Sequence, residues 1–389
     1  IESPREGVTA ADGLLIVRGL YPGTYTGTFT TPSGATVTEK IHIVAHELSN
    51  LISRMPQAGG TGVIGRMGLT GPAGPIGKTR QVSLWALSFL FPPPASPLQS
   101  PLRPRDAKGM YAHCAVLRAR LGSGSLLAVP TVHDCLSARL AEQAGFEVLF
   151  SSGFGISAAR LGLPDHGYVT ATEMLDSVRA ICGAVRVPLI ADMDTGYGNA
   201  QNVRRTVTEA IRAGAAGIIL EDQVWPKRCG HMTGKQVIPR EEHADKIRAA
   251  VEARGDSGLV LIARTDALAV HGLDDALARA AAYRDAGADV LFVEAPRSRD
   301  ELAAIASALK GSWLMANLLP GGVTPILPLP ELEAMGFRLV SLALYELFAA
   351  TAALRDMYAR LASTRDLSAL QPGVGFEEFQ RIIGGTAKA

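Results

Sequence analysis

Cysteine is scarce and scattered. The 389-residue chain has four, Cys114, Cys135, Cys182 and Cys229, and none forms a C-x-x-C pair. That spacing excludes a disulfide scaffold and a zinc knuckle, and it points to a reducing compartment. A surplus of charge is also lacking. Lys and Arg number 38 against 37 Asp and Glu, a formal net charge of +1. Nothing in that balance draws the chain to nucleic acid or to an anionic membrane. Long apolar runs are absent too. The longest, "VSLWALSFLF", ends in "PPP" and falls short of the ~18–20 residues of a membrane span. What is present is a 47% hydrophobic, 19% charged composition, enough for a sizeable core.

The chain has two textures, 1–110 and 111–389. In the first, "YTGTFTTPSGATVTEKIHIVA" alternates around Pro32-Ser33-Gly34 and predicts a short hairpin. "AGGTGVIGRMGLTGPAGPIGK" is glycine-rich and reads as irregular, with no strand-turn-helix context for a phosphate loop. "FPPPASPLQSPLRPR" holds six prolines within 13 residues and reads as an extended linker. Between Glu47 and Asp106 there are six basic residues and no acid. Such a stretch is similar to an organelle transit segment; a disordered extension is the plainer alternative. The expected compartment is the cytoplasm, or a plastid or mitochondrion if the segment targets. The chain opens on Ile1, so its natural start is expected upstream or removed.

From about residue 125, short apolar runs alternate with helical stretches. Strands are expected at 126–132, 147–152, 188–194, 216–222, 259–265, 289–295, 312–318 and 337–343. Each run is nearly continuous in apolar residues, as strands buried on both faces require. Helices are expected at 136–144, 171–184, 200–213, 240–254, 274–286, 298–309, 330–335 and 345–362. Three turns, at Gly145, Gly214 and Gly287, read as helix ends before a strand. Eight βα units predict an α/β fold, a (β/α)8 TIM-type barrel. An open doubly wound sheet is the competing architecture.

In such a barrel, chemistry sits at the C-terminal strand ends. Those ends carry Ser151-Ser152-Gly153, Asp192 and Asp194, Glu221 and Asp222, Arg264 and Asp266, Glu294, and Asn317. Asp192 and Asp194, two apart on a strand, point the same way. Close carboxylates repel unless a cation or proton separates them. With Glu221 they form a hard oxygen set of the kind that suits Mg²⁺, or Mn²⁺; capping of the next helix is the alternative. Arg264 at a strand end suits a substrate carboxylate or phosphate; an ion pair with Glu221 or Glu294 is the alternative. Ser152 and Asn317 are hydrogen-bond donors or ordinary turn residues. His133, His166, His243 and His271 read as unspecialised.

The loop after Glu221 reads "DQVWPKRCGH". Cys229 stands among Lys227, Arg228 and His231, which predicts a lowered thiol pKa. A zinc half-site, a Cys-His nucleophile and a proton donor are the three readings. The donor fits the oxygen-rich strand ends better than the others. Gly230 and Gly234 are candidate hinges of a closing lid.

"GLPD" (162–165), "ADMDTGYGN" (191–199), "EDQVWPKRCGH" (221–231) and "ARTDA" (263–267) together resemble the isocitrate lyase/phosphoenolpyruvate mutase superfamily over roughly 111–385. The resemblance implies a Mg²⁺-dependent barrel acting on di- or tricarboxylates. It implies Asp192, Asp194 and Glu221 as metal-site carboxylates, some acting through water. Ser152, Gly153 and Phe154 would hold the substrate carboxylate, with Asp165 in the pocket. Lys227 and Cys229 would be gating-loop residues, Cys229 as general acid. Arg228, Gly230, His231, Arg264, Glu294 and Asn317 would line or support the substrate. Cys229 is similar to the lyase form rather than the mutase form. "LLPGGVTP" (318–325) departs from the methylisocitrate lyase turn and looks more like the dimethylmalate lyase and petal death protein branch. The expectation is a carbon–carbon lyase on a 2-alkylmalate or oxaloacetate. A methylisocitrate lyase, a carboxyvinyl-carboxyphosphonate phosphorylmutase-like enzyme and a non-catalytic barrel are the rivals. A homotetramer is implied as well.

Overall fold

Strands that are apolar on both faces need cover on both, and a closed barrel ringed by helices supplies it. The computed structural model describes residues 107–370 and 373–384, together with strand segments among residues 8–85. The chain divides into two units, Ile1–Pro93 and Pro94–Ala389.

In the first unit the expected hairpin is present. Gly23–Thr30 pairs antiparallel with Thr36–Ile43, with Thr30 opposite Thr36. β-Branched Thr suits that pleated surface. The glycine-rich stretch departs from its expected irregularity. Its Arg66–Thr70 pairs with the other edge of Gly23–Thr30, and Val82–Trp85 pairs with Arg66–Thr70. An existing strand edge offers backbone partners that local propensity does not predict. A separate antiparallel sheet joins Val8–Thr9, Leu14–Val17 and Leu51–Arg54. The proline-rich stretch lies outside the described residues.

In the second unit eight parallel strands close in sequence order, the last beside the first. They are β1 (Leu127–Val132), β2 (Leu149–Ser151), β3 (Leu189–Asp192), β4 (Gly217–Glu221), β5 (Val260–Thr265), β6 (Val290–Val293), β7 (Trp313–Leu318) and β8 (Leu339–Leu342). Each falls within its expected run. The helices are α1 (Ala107–Gly122), α2 (Cys135–Gln143), α3 (Gly153–Ile156), α4 (Ala171–Ala184), α5 (Ala200–Ala213) and α6 (Arg240–Arg254). They continue with α7 (Leu268–His271), α8 (Leu273–Asp285), α9 (Arg299–Ala308), α10 (Leu329–Met335), α11 (Tyr345–Thr364) and α12 (Phe376–Ile382). Helix starts are set by Asp134, Thr170 and Asn199, whose side chains accept backbone N–H groups of the first turn. Gly214 ends α5 at φ +98°, a left-handed conformation that costs glycine little.

Val129, Phe150, Ile190, Ile219, Ile262, Phe292, Met315 and Leu339 fill the barrel with Leu117 and Leu121 of α1. Helix α1 was not expected, and the boundary drawn at residue 110 cuts through it. Its apolar positions form no clean stripe, so periodicity hid it. It closes the N-terminal end of the barrel. Leu117 lies against Gly217, where an added Cβ would meet its Cδ2 at 3.1 Å. Arg118 donates to the Gly258 carbonyl at 2.6 Å and to Asp289 at 2.9 Å. The opposite end is left open for chemistry. No helix among the described residues is long and apolar enough to cross a membrane.

Leu117→Ala should lower stability by about 2–5 kcal/mol through lost burial and an unfilled cavity. The urea midpoint reads this, and an unchanged midpoint would deny α1 a packing role.

Candidate active site

Parallel register carries chemistry to one rim. Glu221 of β4 lies opposite Arg264 of β5, and Arg264 lies opposite Phe292 of β6. Arg264 Nη1 is 3.3 Å from Glu221 Oε2, and its guanidinium stacks over the Phe292 ring at 5.5 Å.

Asp192 ends β3, and Asp194 lies beyond it at φ +48°. Strand alternation therefore does not apply to the pair, and the two carboxylates take different partners. Asp192 accepts from the backbone N–H groups of Gly153 and Asp194, each at 3.1 Å. Asp194 accepts from the Tyr197 hydroxyl at 3.2 Å and lies 2.8 Å from Lys227 Nζ. Lys227 is buried and also 2.6 Å from Asp165. Burial opposes its charge, but Asp194 and Asp165 prevail and hold its pKa well above the ordinary lysine value. Burial lifts Asp194 to about 6, against the pull of Lys227. Burial likewise raises Glu221 well above the carboxylate range.

The lid is down. Gln223 takes the Arg228 N–H at 3.0 Å and donates to the Arg228 carbonyl at 2.8 Å. The Cys229 N–H donates to the Asp165 carbonyl at 3.1 Å. Gly230 passes so close to Glu294 and Arg264 that a Cβ there would overlap both; the need is space, not hinge freedom. His231 Nδ1 accepts the Val323 N–H at 3.0 Å. The ring proton is then on Nε2, 3.4 Å from Glu294 Oε1. Burial lowers the His231 pKa, so the ring is neutral. Asn317 donates to Glu294 at 3.3 Å.

The thiol expectation is overturned in sign. Cys229 is pushed up to about 11, chiefly by burial, with Asp165 and Glu294 adding to it. Lys227 is spent on carboxylates, and the Arg228 side chain is exposed. Arg228 thus reaches the site through its backbone only. Ser152 is the N-cap of α3, its oxygen 3.2 Å from the Gly155 nitrogen. The Phe154 side chain packs with Leu319, Ala343 and Leu344, away from the charged groups.

Asp222 and Asp266, placed at strand ends by the sequence but given no role there, belong to the site, and so does Lys235, which the sequence did not single out. Asp266 receives Arg264 in bidentate fashion, Nε at 2.9 Å and Nη2 at 3.1 Å. Burial would raise its pKa, but Arg264 and Lys235 hold it at about 2. Lys235 is 2.9 Å from Asp266 Oδ1. Asp222 accepts from Thr265 Oγ1 (2.7 Å), the Asp266 N–H (2.9 Å), Tyr283 (2.8 Å) and Arg279 (3.2 Å). The spacing in "ARTDA" was a signal for Asp266; Lys235 had none.

No three Asp, Glu, His or Cys side chains among the described residues converge to hold one metal directly. Asp192 Oδ2 and Asp194 Oδ1 both face the space beside Gly153, while Lys227 pairs with Asp194 and Arg264 with Glu221. The donor chemistry still suits a hard divalent ion held partly through water. Glu221 Oε1 is buried without a hydrogen-bond partner, and Gly153 has no Cβ to fill the space 2.8 Å from Asp192 Oδ2.

A family model described as phosphoenolpyruvate phosphomutase matches residues 117–362. The chain belongs to the isocitrate lyase/phosphoenolpyruvate mutase superfamily. It is an enzyme of that superfamily, whose similar members are named as lyases and mutases. It is 49% identical to a chloroplastic carboxyvinyl-carboxyphosphonate phosphorylmutase of Arabidopsis thaliana, over 66% of this chain and 77% of that one. It is 41% identical to 2,3-dimethylmalate lyase of Eubacterium barkeri, over 69% and 93%. Oxaloacetate acetylhydrolase with 3,3-difluorooxalacetate superimposes with a TM-score of 0.68 at 39% identity, over 70% and 94%. Phosphonopyruvate hydrolase with oxalate and Mg²⁺ gives 0.62 at 34% identity, over 70% and 95%.

Gly230→Ala should cut kcat/KM by about a hundredfold, as a displaced lid misplaces its reactive group, while the melting temperature holds. Wild-type turnover of that variant would refute the close seam.

Proposed function

We propose that the enzyme cleaves the C2–C3 bond of a 2-hydroxy dicarboxylate of the 2-alkylmalate type, giving a 2-oxo acid and a carboxylate. One observation carries this reading: a thiol kept protonated by burial, on a closed lid over paired carboxylates and cations. As the bond breaks, C3 keeps the electron pair, and the C2 hydroxyl becomes the carbonyl by giving its proton to a rim carboxylate, from which solvent returns it to the Cys229 thiolate after product leaves. Cys229 donates its S–H proton to C3, completing the carboxylate product. Lys227 and Arg264 offset the negative charge of the substrate. Asp192, Asp194 and Glu221 would hold Mg²⁺, or Mn²⁺, which supplies charge stabilisation for the substrate oxygens. The Ser152–Phe154 segment would border the substrate carboxylate, with Asn317, Glu294 and His231 opposite.

The dimethylmalate lyase and oxaloacetate acetylhydrolase likenesses support this class. The phosphorylmutase likeness makes a C–P or P–O substrate the competing outcome. A panel of alkylmalates, oxaloacetate, methylisocitrate and phosphoenolpyruvate, each with chelator and with Mg²⁺ returned, separates them. Turnover of the phosphorus substrate alone would sink the lyase reading. Cys229→Ser should lose about 10²–10⁴-fold in kcat, and Asp192→Ala should abolish Mg²⁺-dependent turnover. A donor must be protonated, so kcat/KM should stay level through pH 9 and fall as pH rises through about 11. A fall centred near the ordinary thiol value of about 8.5 would remove Cys229 from the donor role.

We further propose that the residues preceding α1 form an extension that serves targeting to a plastid or mitochondrion; the Arabidopsis relative is named chloroplastic. A homotetramer is proposed as well. Helix α11 exposes Tyr345, Phe348, Leu354 and Tyr358, a face for a neighbouring copy, and light scattering on the full chain tests it.

A further inference from the structure

The return limb of the lid carries a buried cation that the chemistry above does not use. The Lys235 side chain is 1% exposed and Asp266 is fully buried, with 2.9 Å between Nζ and Oδ1. The same ammonium donates to the Gly230 carbonyl at the lid tip. Oδ1 of Asp266 also accepts from Arg264 Nη2 at 3.1 Å, so one oxygen serves both the lid and the substrate-facing guanidinium. That carboxylate is itself fixed. The Asp266 N–H and the Thr265 hydroxyl both donate to Asp222, which Arg279 and Tyr283 hold from α8. A cation sealed between a carbonyl of the loop and a carboxylate at the end of β5 has a defined consequence. Lifting Gly230 strips the ammonium of one partner while the other stays buried.

We propose that Lys235 is a positioning residue, a latch that holds the Gly230 segment down and ties lid closure to the orientation of Arg264. The proposal deepens the reading of residues 227–231 as a lid over the reaction site, and it rests on that reading. It explains how Gly230, which has no side chain, is held against Arg264 and Glu294, between Lys227 and His231, whose own side chains reach the rim. It also assigns Asp266 two tasks, aiming Arg264 and receiving the lid.

The test reads Cys229 as a reporter, whatever its role in catalysis. Full-length wild type and Lys235→Met are treated with iodoacetamide, and alkylation at each cysteine is followed by peptide mapping. The expected result is alkylation of Cys229 at least about tenfold faster in the variant, the scale set by losing one hydrogen bond to a charged group. Cys182, buried in α4, should remain unreactive, which separates an open lid from an open barrel. If Lys235→Met exposes Cys182, Lys235→Gln, which retains a donor without the charge, is read by the same criterion. On the substrate found above, kcat should fall more than KM rises, and Lys235→Arg should recover part of it. Cys229 alkylation at the wild-type rate in a folded variant overturns the latch. Faster alkylation in the variant, with no turnover by the wild type on any substrate, would keep the latch and count against the proposed reaction instead.

Discussion

The rim of this barrel depends on charge compensation in a place water scarcely reaches. Asp165, Asp192, Asp194, Glu221, Asp266 and Glu294 crowd the mouth, all buried, against three buried or nearly buried cations, Lys227, Lys235 and Arg264. Each cation touches at least one carboxylate, and Lys227 and Arg264 touch more. Charge at such a depth is tolerable only when paired. The pairing is incomplete, and the raised pKa values of Asp194 and Glu221 record the shortfall. A site with carboxylates left over is suited to a divalent cation, and that is the sense in which magnesium fits here.

The same logic separates the residues that act from those that hold. Asp222 is saturated by four donors and has nothing left to offer a ligand. Its work is to fix Asp266, which fixes Arg264. Glu294 retains an unpartnered oxygen, as does Asn317, so the rim between β6 and β7 remains open to hydrogen bonding. Reactive capacity lies where satisfaction is unfinished.

The barrel was legible because burial on both faces writes itself as unbroken apolar runs, and each of the eight was read in place. Helix α1 was not, since Cys114, Leu117 and Leu121 share its buried face while Tyr111, Ala115 and Val116 spread apolar residues round the rest and blur the period. The strand Arg66–Thr70 escaped for a related reason: a neighbour's edge, rather than its own residues, makes it a strand. At the site, Glu221, Arg264 and Asn317 were legible from position at strand ends. The state of Cys229 was not, because neighbours in sequence are poor guides to neighbours in space. Lys227 turns inward to Asp165 and Asp194, Arg228 turns out to solvent, and the thiol is left to burial. Lys235 was invisible because a single lysine in a polar loop has no pattern.

Lys227 and Asp165 are nearly dry, joined at 2.6 Å. Separating charges at that depth costs more than their attraction alone suggests, because each would be left buried and unpaired. The pair therefore stitches the segment after Glu221 to the loop that carries Asp165. Two stretches some sixty residues apart in sequence are held as one piece across the mouth of the barrel.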